Sequence, residues 1–157
     1  MSGMNVCEVS RDGYLISTDP TRLDADAIHA YLDRSYWAAG RPQKIVVRSL
    51  AHSLCFGLYR GDEQVGLCRV ITDMWTYAYL CDVYVLETHQ GRGLGNWLIE
   101  TVTNCPYLST VNRWSLLTGD AHGLYEQFGF APVANPERYM EMIKQTNGPV
   151  NPHTIAP

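Results

Sequence analysis

The chain has 157 residues, of which 46% are apolar and 18% are charged. This length and composition suit one globular domain with a single core. A formal net charge of −4 at pH 7 lacks the basic footprint of a nucleic-acid-binding protein. No run of about eighteen apolar residues is present to cross a membrane, and the amino-terminal residues show no secretory signal. We therefore expect a cytoplasmic protein that contacts neither nucleic acid nor membrane.

The cysteines and histidines show no spacing typical of disulfide bonding or metal binding. The five cysteines are odd in number and widely scattered, which argues against a disulfide framework. The five histidines have no paired spacing such as metal ligands show on a helix. The sequence therefore predicts no metal site.

Hydrophobic periodicity and turn residues divide the chain into alternating strands and helices. In order, we predict a loose leader over residues 1–12, a strand over 14–18, a helix over 23–34, a helical or irregular segment to about 50, strands over 54–60, 64–72 and 77–86, a helix over 93–103, a strand over 114–118, a helix containing Tyr125, and strands over 130–133 and 139–143. A polar, proline-containing tail over 145–157 is predicted to be disordered. The domain would then occupy residues 13–144.

The stretch around residues 77–102 places a strand, a glycine-rich turn and a helix in direct succession. The glycines of Gln90-Gly-Arg-Gly-Leu-Gly95 let the backbone turn tightly and approach a ligand closely. The helix that follows offers unpaired N–H groups and the positive end of its dipole, and Arg92 adds a charged donor. This pattern predicts an anion site suited to a diphosphate; a glycine-rich turn without a ligand is the alternative.

Two motifs carry a family resemblance. Gln90-Gly91-Arg92-Gly93-Leu94-Gly95 resembles the Gln/Arg-x-x-Gly-x-Gly/Ala signature of the GNAT N-acetyltransferase superfamily, whose members bind the pyrophosphate of acetyl-coenzyme A there. Further along, in the family's order, Leu124-Tyr-Glu-Gln-Phe-Gly-Phe130 resembles the family's Leu-Tyr-x-x-x-Gly-Phe segment. The resemblance implies a single-domain α/β (α+β) GNAT fold: a mixed, mostly antiparallel sheet of six or seven strands, splayed between the fourth and fifth strands and flanked by about four helices.

The resemblance also implies that acetyl-coenzyme A is the cosubstrate. The backbone of the fourth strand would pair with the pantetheine arm, and the N–H of Val83 or Val85 would polarise the thioester carbonyl. At Asp120 this chain departs from the family, which often has an asparagine nearby, because a carboxylate accepts hydrogen bonds but cannot donate them. The positions that match the coenzyme site are Val83, Tyr84, Val85, Gln90, Gly91, Arg92, Gly93, Leu94, Gly95, Asn96 and Asp120.

Acetyl transfer to an amine needs a proton donor for the departing thiolate and a group that takes up the proton of the amine. Tyr125 matches the family's general acid, with an ordinary core tyrosine as the alternative. Asp82 is a carboxylate inside an apolar strand, a costly position unless it is paired or functional, and it matches an acidic position that contacts the acceptor amine. Asp73 and His122 are alternative bases, and Asp120 beside His122 is predicted to cap the next helix.

The function that these residues predict is transfer of an acetyl group to a primary amine of a small molecule or a protein by direct attack. A catalytically silent acyl-coenzyme A sensor and a domain for another phosphorylated ligand are the competing readings. The candidate residues for binding the acceptor amine are Tyr36, Trp37, Asp73 and Trp75. The three aromatic rings among them suit a cation or an apolar amine. Dimers formed through the last strands are common in the family, so a homodimer is one expected assembly.

Overall fold

The computed structural model describes residues 3–144. In chain order these residues form β1 (Glu8–Arg11), β2 (Tyr14–Ser17), α1 (Ala25–Asp33), α2 (Gln43–Ala51), β3 (Leu54–Arg60), β4 (Glu63–Thr72), β5 (Tyr77–Val85), α3 (Leu94–Thr103), β6 (Arg113–Leu116) and α4 (His122–Glu126). The strands lie in one sheet in the order β1-β2-β3-β4-β5-β6. All neighbouring strands are antiparallel except β5 and β6, which are parallel. The predicted mixed sheet with about four helices is confirmed.

The helices cover both faces of the sheet because each presents apolar residues at helical spacing. On α1, Ile28 and Leu32 are buried, and α2 contributes Val46 and Leu50 to the same core. The larger core lies on the opposite face, where α3 and α4 pack against the sheet. Each fully buried aliphatic side chain of this kind contributes about 1.5–3 kcal/mol. The two faces of the sheet are thus closed by different helix pairs.

The sheet opens between β5 and β6. The two strands pair only from Tyr77, opposite Arg113, to Leu80, opposite Leu116, although β5 continues to Val85. Just beyond the last pair, Asp82 has a φ of 52°, and the register of β5 against β4 shifts at the same place. Such a bulge bends a strand away from its neighbour. The opening predicted between the fourth and fifth strands is confirmed. These two strands are β5 and β6 here because the structure has one additional strand, β1, before them.

The predicted loose leader over residues 1–12 is wrong for its last part. Residues Glu8–Arg11 form β1 and pair with β2. The connecting turn is Asp12-Gly13, with φ values of 52° and 81°, a conformation that Asp-Gly favours in two-residue hairpins. All four β1 side chains are exposed. The strand therefore lacks the alternation of apolar and polar residues from which it could have been predicted.

The two strands predicted over 130–133 and 139–143 are absent. The described part of this segment is irregular apart from a short 3-10 turn at Pro136–Arg138, and Met140 and Met142 are 95% and 78% exposed. Strand propensity needs a paired edge to produce a strand, and the outer edge of β6 has no partner among residues 3–144. The tail predicted over 145–157 lies outside the described residues.

Two predicted helices have different ends in the structure. The helix predicted over 23–34 begins at Ala25, because the Asp24 carboxylate caps it by accepting from the Ala27 N–H at 3.0 Å. The helix containing Tyr125 ends at Glu126, although Gly129 has the predicted left-handed conformation, with a φ of 91°. Within the described range, every helix is too short or too polar to cross a membrane.

Candidate active site

The glycine-rich turn connects β5 to α3 in a conformation that depends on its glycines. Gly91 and Gly93 have φ values of 78° and 74°, which are strained for any residue with a β-carbon. The side chain of Gln90 reaches back and donates from Nε2 to the Val85 carbonyl at 2.8 Å. The turn is therefore held against the end of β5, and the helix starts at a defined point beyond it.

The first turn of α3 has the properties of an anion site. Gly93 is its N-cap, and no side chain of residues 3–144 caps it, so the N–H groups of Leu94, Gly95 and Asn96 face outward without an intrahelical acceptor. A β-carbon added at Gly91 or Gly95 would have no heavy atom within 4 Å. Gly95 has no positive φ, so neither strain nor packing requires glycine there. The open space beside it fits a ligand that approaches the backbone closely.

Arg11 lies at this turn although no sequence pattern pointed to it. Its Nη2 donates to the Gly93 carbonyl at 3.3 Å, 82 residues away in sequence, and its guanidinium lies 4.7 Å from the centre of the Trp97 ring. The predicted Arg92 is exposed on the turn itself. Two guanidinium groups thus add positive charge to the end of the helix dipole. The predicted Asn96 instead donates to the Gln127 side chain at 3.1 Å and ties α3 to the end of α4.

The last residues of β5 have one free edge. Leu86 donates its N–H to the carbonyl of Val65, within β4, at 2.8 Å. Successive N–H groups of a strand point to opposite edges, so those of Val85 and Val83 point away from β4, into the gap. Tyr84 is different: its side chain is buried and stacks on Tyr31 with 3.9 Å between ring centres. Tyr84 therefore belongs to the core on the α1 and α2 side.

Tyr125 lies on α4 beside the gap, 8% exposed, with its ring 5.9 Å from that of Phe130. Burial raises the pKa of its phenol well above the ordinary value, and nearby Cys68, Tyr36 and Asp120 act in the same direction. The phenol is therefore protonated throughout the neutral range. A protonated hydroxyl at this place can donate a proton, as the general-acid prediction requires.

Asp82 does not have the surroundings of a general base. Its side chain is 2% exposed, and its oxygens accept from Arg69 Nε at 2.8 Å, Arg41 Nη1 at 3.0 Å and Trp37 Nε1 at 3.2 Å. Two guanidinium groups stabilise the carboxylate and occupy the lone pairs that a proton would need. The sequence correctly marked Asp82 as costly unless paired, but it did not identify Arg41 and Arg69 as the partners. We therefore assign Asp82 a positioning role.

Asp73 and Trp75 lie away from the gap. They occupy the turn before β5, where the Asp73 carboxylate accepts backbone N–H groups of Trp75, Thr76 and Tyr77. Hydrogen bonds from the Thr76 side chain and this backbone lower the pKa of the Asp73 carboxyl below its usual range. Since β5 has nine residues at about 3.3 Å each, its two ends are about 26 Å apart. The structure thus separates Asp73 and Trp75 from the glycine-rich turn and gives Asp73 a turn-capping role.

Tyr36 and Trp37 do reach the gap. The Tyr36 hydroxyl donates to Asp120 Oδ1 and accepts from the Gly119 N–H, both at 3.3 Å. Its ring centre is 5.1 Å from that of Trp37, whose Nε1 binds Asp82 on β5. The two rings therefore bridge β5 and the segment after β6.

Asp120 is not the predicted helix cap. The Thr118 hydroxyl accepts from the N–H groups of Asp120 and Ala121 instead, and α4 has Ala121 as its N-cap. Asp120 is exposed and forms no ion pair with any residue of the range 3–144. His122, the third candidate base, is exposed at the first position of α4. Asp120 is thus the carboxylate beside Tyr36 that keeps lone pairs available.

Comparisons with known proteins agree with this geometry. The family model described as acetyltransferase (GNAT) domain matches residues 51–132. Protein FG08082 of Gibberella zeae, named provisionally as an acetyltransferase, is 40% identical over 74% of this chain and 77% of its own. A provisionally named GNAT-family acetyltransferase from Xanthomonas campestris pv. campestris, known from its crystal structure, is 42% identical, with a TM-score of 0.82 over 86% of this chain and 96% of its own.

A more distant structure shares the fold alone. An acetyltransferase predicted in Clostridium acetobutylicum, solved with acetyl-coenzyme A, is 12% identical with a TM-score of 0.60, over 88% of this chain and 95% of its own. The fold and the match to this family model place the chain in the class of acyl-group transferases. The chain belongs to the GNAT acetyltransferase family.

Proposed function

We propose that this protein transfers the acetyl group of acetyl-coenzyme A to a primary amine of a small molecule or a protein by direct attack. The observation that carries the proposal is one juxtaposition. An uncapped helix start with two left-handed glycines lies at the end of a strand whose last residues have an unpaired edge. A diphosphate suits the helix start, and an extended amide chain suits the strand edge.

The residues present fit this donor. The N–H groups of Leu94, Gly95 and Asn96, with Arg92 and Arg11 beside them, would hold the pyrophosphate. The backbone of Val83 and Val85 would pair with the pantetheine amides, and one of their N–H groups would polarise the thioester carbonyl. The coenzyme supplies an activated acetyl thioester.

The proposed acid and base both belong to the segment after β6, with Tyr125 on α4 and Asp120 just before this helix. As the amine nitrogen bonds to the carbonyl carbon and the carbon–sulfur bond breaks, Tyr125 gives its proton to the departing thiolate. We assign Asp120 to take the proton that the amine loses, because its carboxylate has no cationic partner among the described residues while Asp82 has two. Exchange with solvent then restores both groups.

Calorimetric titration of acetyl-coenzyme A into the purified protein tests the donor site. Gly95→Val should weaken binding at least about tenfold, because its side chain fills the space beside the helix start. Its effect on folding should be small, since valine and glycine differ little in helix propensity. Gly95→Ala is the matched control and should keep the affinity, since the family signature allows alanine there. A folded wild-type protein that does not bind the coenzyme would overturn the proposal.

A further inference from the structure

A cluster with unbalanced charge lies beside the gap, on the face of the sheet that α1 and α2 cover. One carboxylate, Asp82, meets two guanidinium groups, at 2.8 Å from Arg69 and 3.0 Å from Arg41. The side chains are 2%, 10% and 19% exposed, respectively. Arginine keeps its charge in proteins, so the cluster has one positive charge in excess, in a chain whose net charge is −4.

No other carboxylate of residues 3–144 forms an ion pair with either arginine. Asp33 is exposed, and its Oδ1 accepts from the Gly40 N–H at 3.0 Å. Glu87 is paired with Arg34 at 2.6 Å, so that pair is neutral. Asp120 accepts from the Tyr36 hydroxyl on the far side of the gap. A partly buried charge is costly when it is not balanced, and a bound anion would balance it.

Arg41 has the donors to bind such an anion. Its Nη1 supplies both hydrogen bonds to Asp82, and neither Nε nor Nη2 donates to any residue within 3–144. Arg69 is more enclosed and divides its donors between Asp82 and Ser53. Adjacent guanidinium N–H groups match the two oxygens of a carboxylate. Arg41 is therefore the member of the cluster that is able to bind a ligand.

The position of the cluster relates it to the acceptor. Tyr36, Trp37 and Arg41 lie in the segment between α1 and α2, so an acceptor that they bind lies on the face of the sheet that these two helices cover. On that side, Trp37 shares the Asp82 carboxylate with Arg41, and the neighbouring Tyr36 ring extends to Asp120. Two aromatic rings thus lie between a carboxylate at one end and a guanidinium at the other.

We propose that the acceptor is an amine that also carries a carboxylate, with Arg41 binding the carboxylate and Asp120 facing the amine. This inference rests on the proposed acetyl transfer and narrows its substrate class. It replaces the cation-binding or purely apolar aromatic pocket that the sequence suggested with a pocket of two opposite charges. Simple alkylamines and polyamines would lack the group that Arg41 recognises.

Matched acceptors test the proposal directly. Tyrosine is compared with tyrosinamide and tyramine, and 4-aminobutyrate with its amide, by chromatographic detection of coenzyme A and the acetylated amine. The carboxylate members should have a kcat/KM about ten- to a hundredfold higher, which corresponds to charge-assisted hydrogen bonds. Equal rates for acids and amides would overturn the substrate class while leaving acetyl transfer itself supported.

Variants of Arg41 separate recognition from structure. Arg41→Gln should raise KM for the carboxylate acceptors at least about tenfold and leave the amides and acetyl-coenzyme A binding unchanged. Arg41→Lys should recover only part of the loss, because it keeps the charge without the planar fork. Arg48→Gln, which removes an exposed arginine of α2, is the control. It should change neither KM for the carboxylate acceptors nor acetyl-coenzyme A binding. An equal effect of Arg41→Gln on both acceptor classes would make the residue purely structural and overturn the proposal.

If no amine is turned over, equilibrium binding gives a separate readout. Tyrosine and tyramine are titrated into the protein saturated with coenzyme A, and tighter binding of tyrosine that Arg41→Gln abolishes would support the proposal. Absence of any preference would overturn it. Failure of coenzyme binding, by contrast, would overturn the proposed function.

Discussion

At the scale of single residues, the candidate site depends on which titratable groups are paired. The sequence offers both Asp82 and Asp73 as candidate general bases. In the structure, Asp82 forms ion pairs and Asp73 accepts hydrogen bonds from backbone N–H groups. The sequence predicts that Asp120 contacts the coenzyme or caps a helix, whereas in the structure its carboxylate lies beside Tyr36 without a cationic partner in the described range. Tyr125 keeps its proton because burial raises the pKa of its phenol.

The acid and base assignments predict paired effects on turnover. Tyr125→Phe should lower kcat by about ten- to a thousandfold with little change in coenzyme affinity, because only the proton donor is lost. Asp120→Asn should also lower kcat and should retain coenzyme affinity, since the family often has asparagine in this neighbourhood. Steady-state rates and calorimetry measure the two quantities separately. Unchanged kcat in either variant would remove that residue from the mechanism. A wild-type protein that binds the coenzyme but acetylates no amine would favour the acyl-coenzyme A sensor.

The pH profile adds a further check on the acid. Because the pKa of Tyr125 is raised above its ordinary value, the acid form persists to higher pH than that of an exposed tyrosine, whose pKa is about 10. Any loss of kcat below about pH 9 must therefore come from another group.

At the scale of elements, β5 organises the site. One end follows the capped turn at Asp73, the middle contains the bulge at Asp82, and the other end leads into the glycine-rich turn. The bulge coincides with the end of pairing to β6, and the Asp82 carboxylate joins β5 to Arg69 of β4 and to Arg41 before α2. The ion cluster thus holds the bulge of β5 against β4 and the segment before α2.

Removing this carboxylate should destabilise the protein strongly. Asp82→Asn leaves Arg41 and Arg69 without their buried counter-ion, which costs about 3–5 kcal/mol in comparable buried pairs. The free energy of unfolding in urea measures the loss. Glu87→Gln, which breaks the exposed Arg34–Glu87 pair, is the control and should have a much smaller effect. A stable Asp82→Asn variant with abolished turnover would instead return Asp82 to the role of general base.

At the scale of the whole molecule, stability depends on buried groups that are neutral when the protein is folded. Cys55 and Cys68 are buried free thiols in the two separate cores. Burial raises the pKa of the Cys55 thiol to about 12 and that of Cys68 well above its ordinary value. The homodimer expected from the family stays a prediction, and β6 is one of the two edge strands of the described sheet, the other being β1.

The buried thiols predict a loss of stability at alkaline pH. In the unfolded chain a thiol ionises above about pH 8.5, whereas the folded state holds its proton to much higher pH. The free energy of unfolding should therefore be constant below this value and should fall above it by about 1.4 kcal/mol per pH unit for each thiol. Urea denaturation under reducing conditions between pH 7 and 10.5 measures the slope. Cys55→Ala should reduce the slope of this decline by about 1.4 kcal/mol per pH unit. A free energy of unfolding that does not change over this pH range would contradict the prediction.

Much of the fold was predictable because it depends on local preferences. The strands of β3, β4 and β5 follow from runs of apolar and β-branched residues, and the glycine-rich turn follows from conformations that only glycine adopts easily at Gly91 and Gly93. The hairpin of β1 and β2 escaped prediction because the side chains of β1 are all exposed. The strands expected after residue 130 failed for the opposite reason, since a suitable sequence found no paired edge.

The sequence by itself therefore determined the glycine-rich turn before α3, the position of Tyr125 and the GNAT family of the chain. Backbone conformation and helix starts are decided by residues a few positions apart, so these features are readable from short motifs. Only the tertiary structure decided which charges are balanced. Asp82 meets Arg69 and Arg41 at separations of 13 and 41 residues, and Arg11 meets Gly93 at 82. Such contacts arise where distant elements pack together, and no local pattern encodes them.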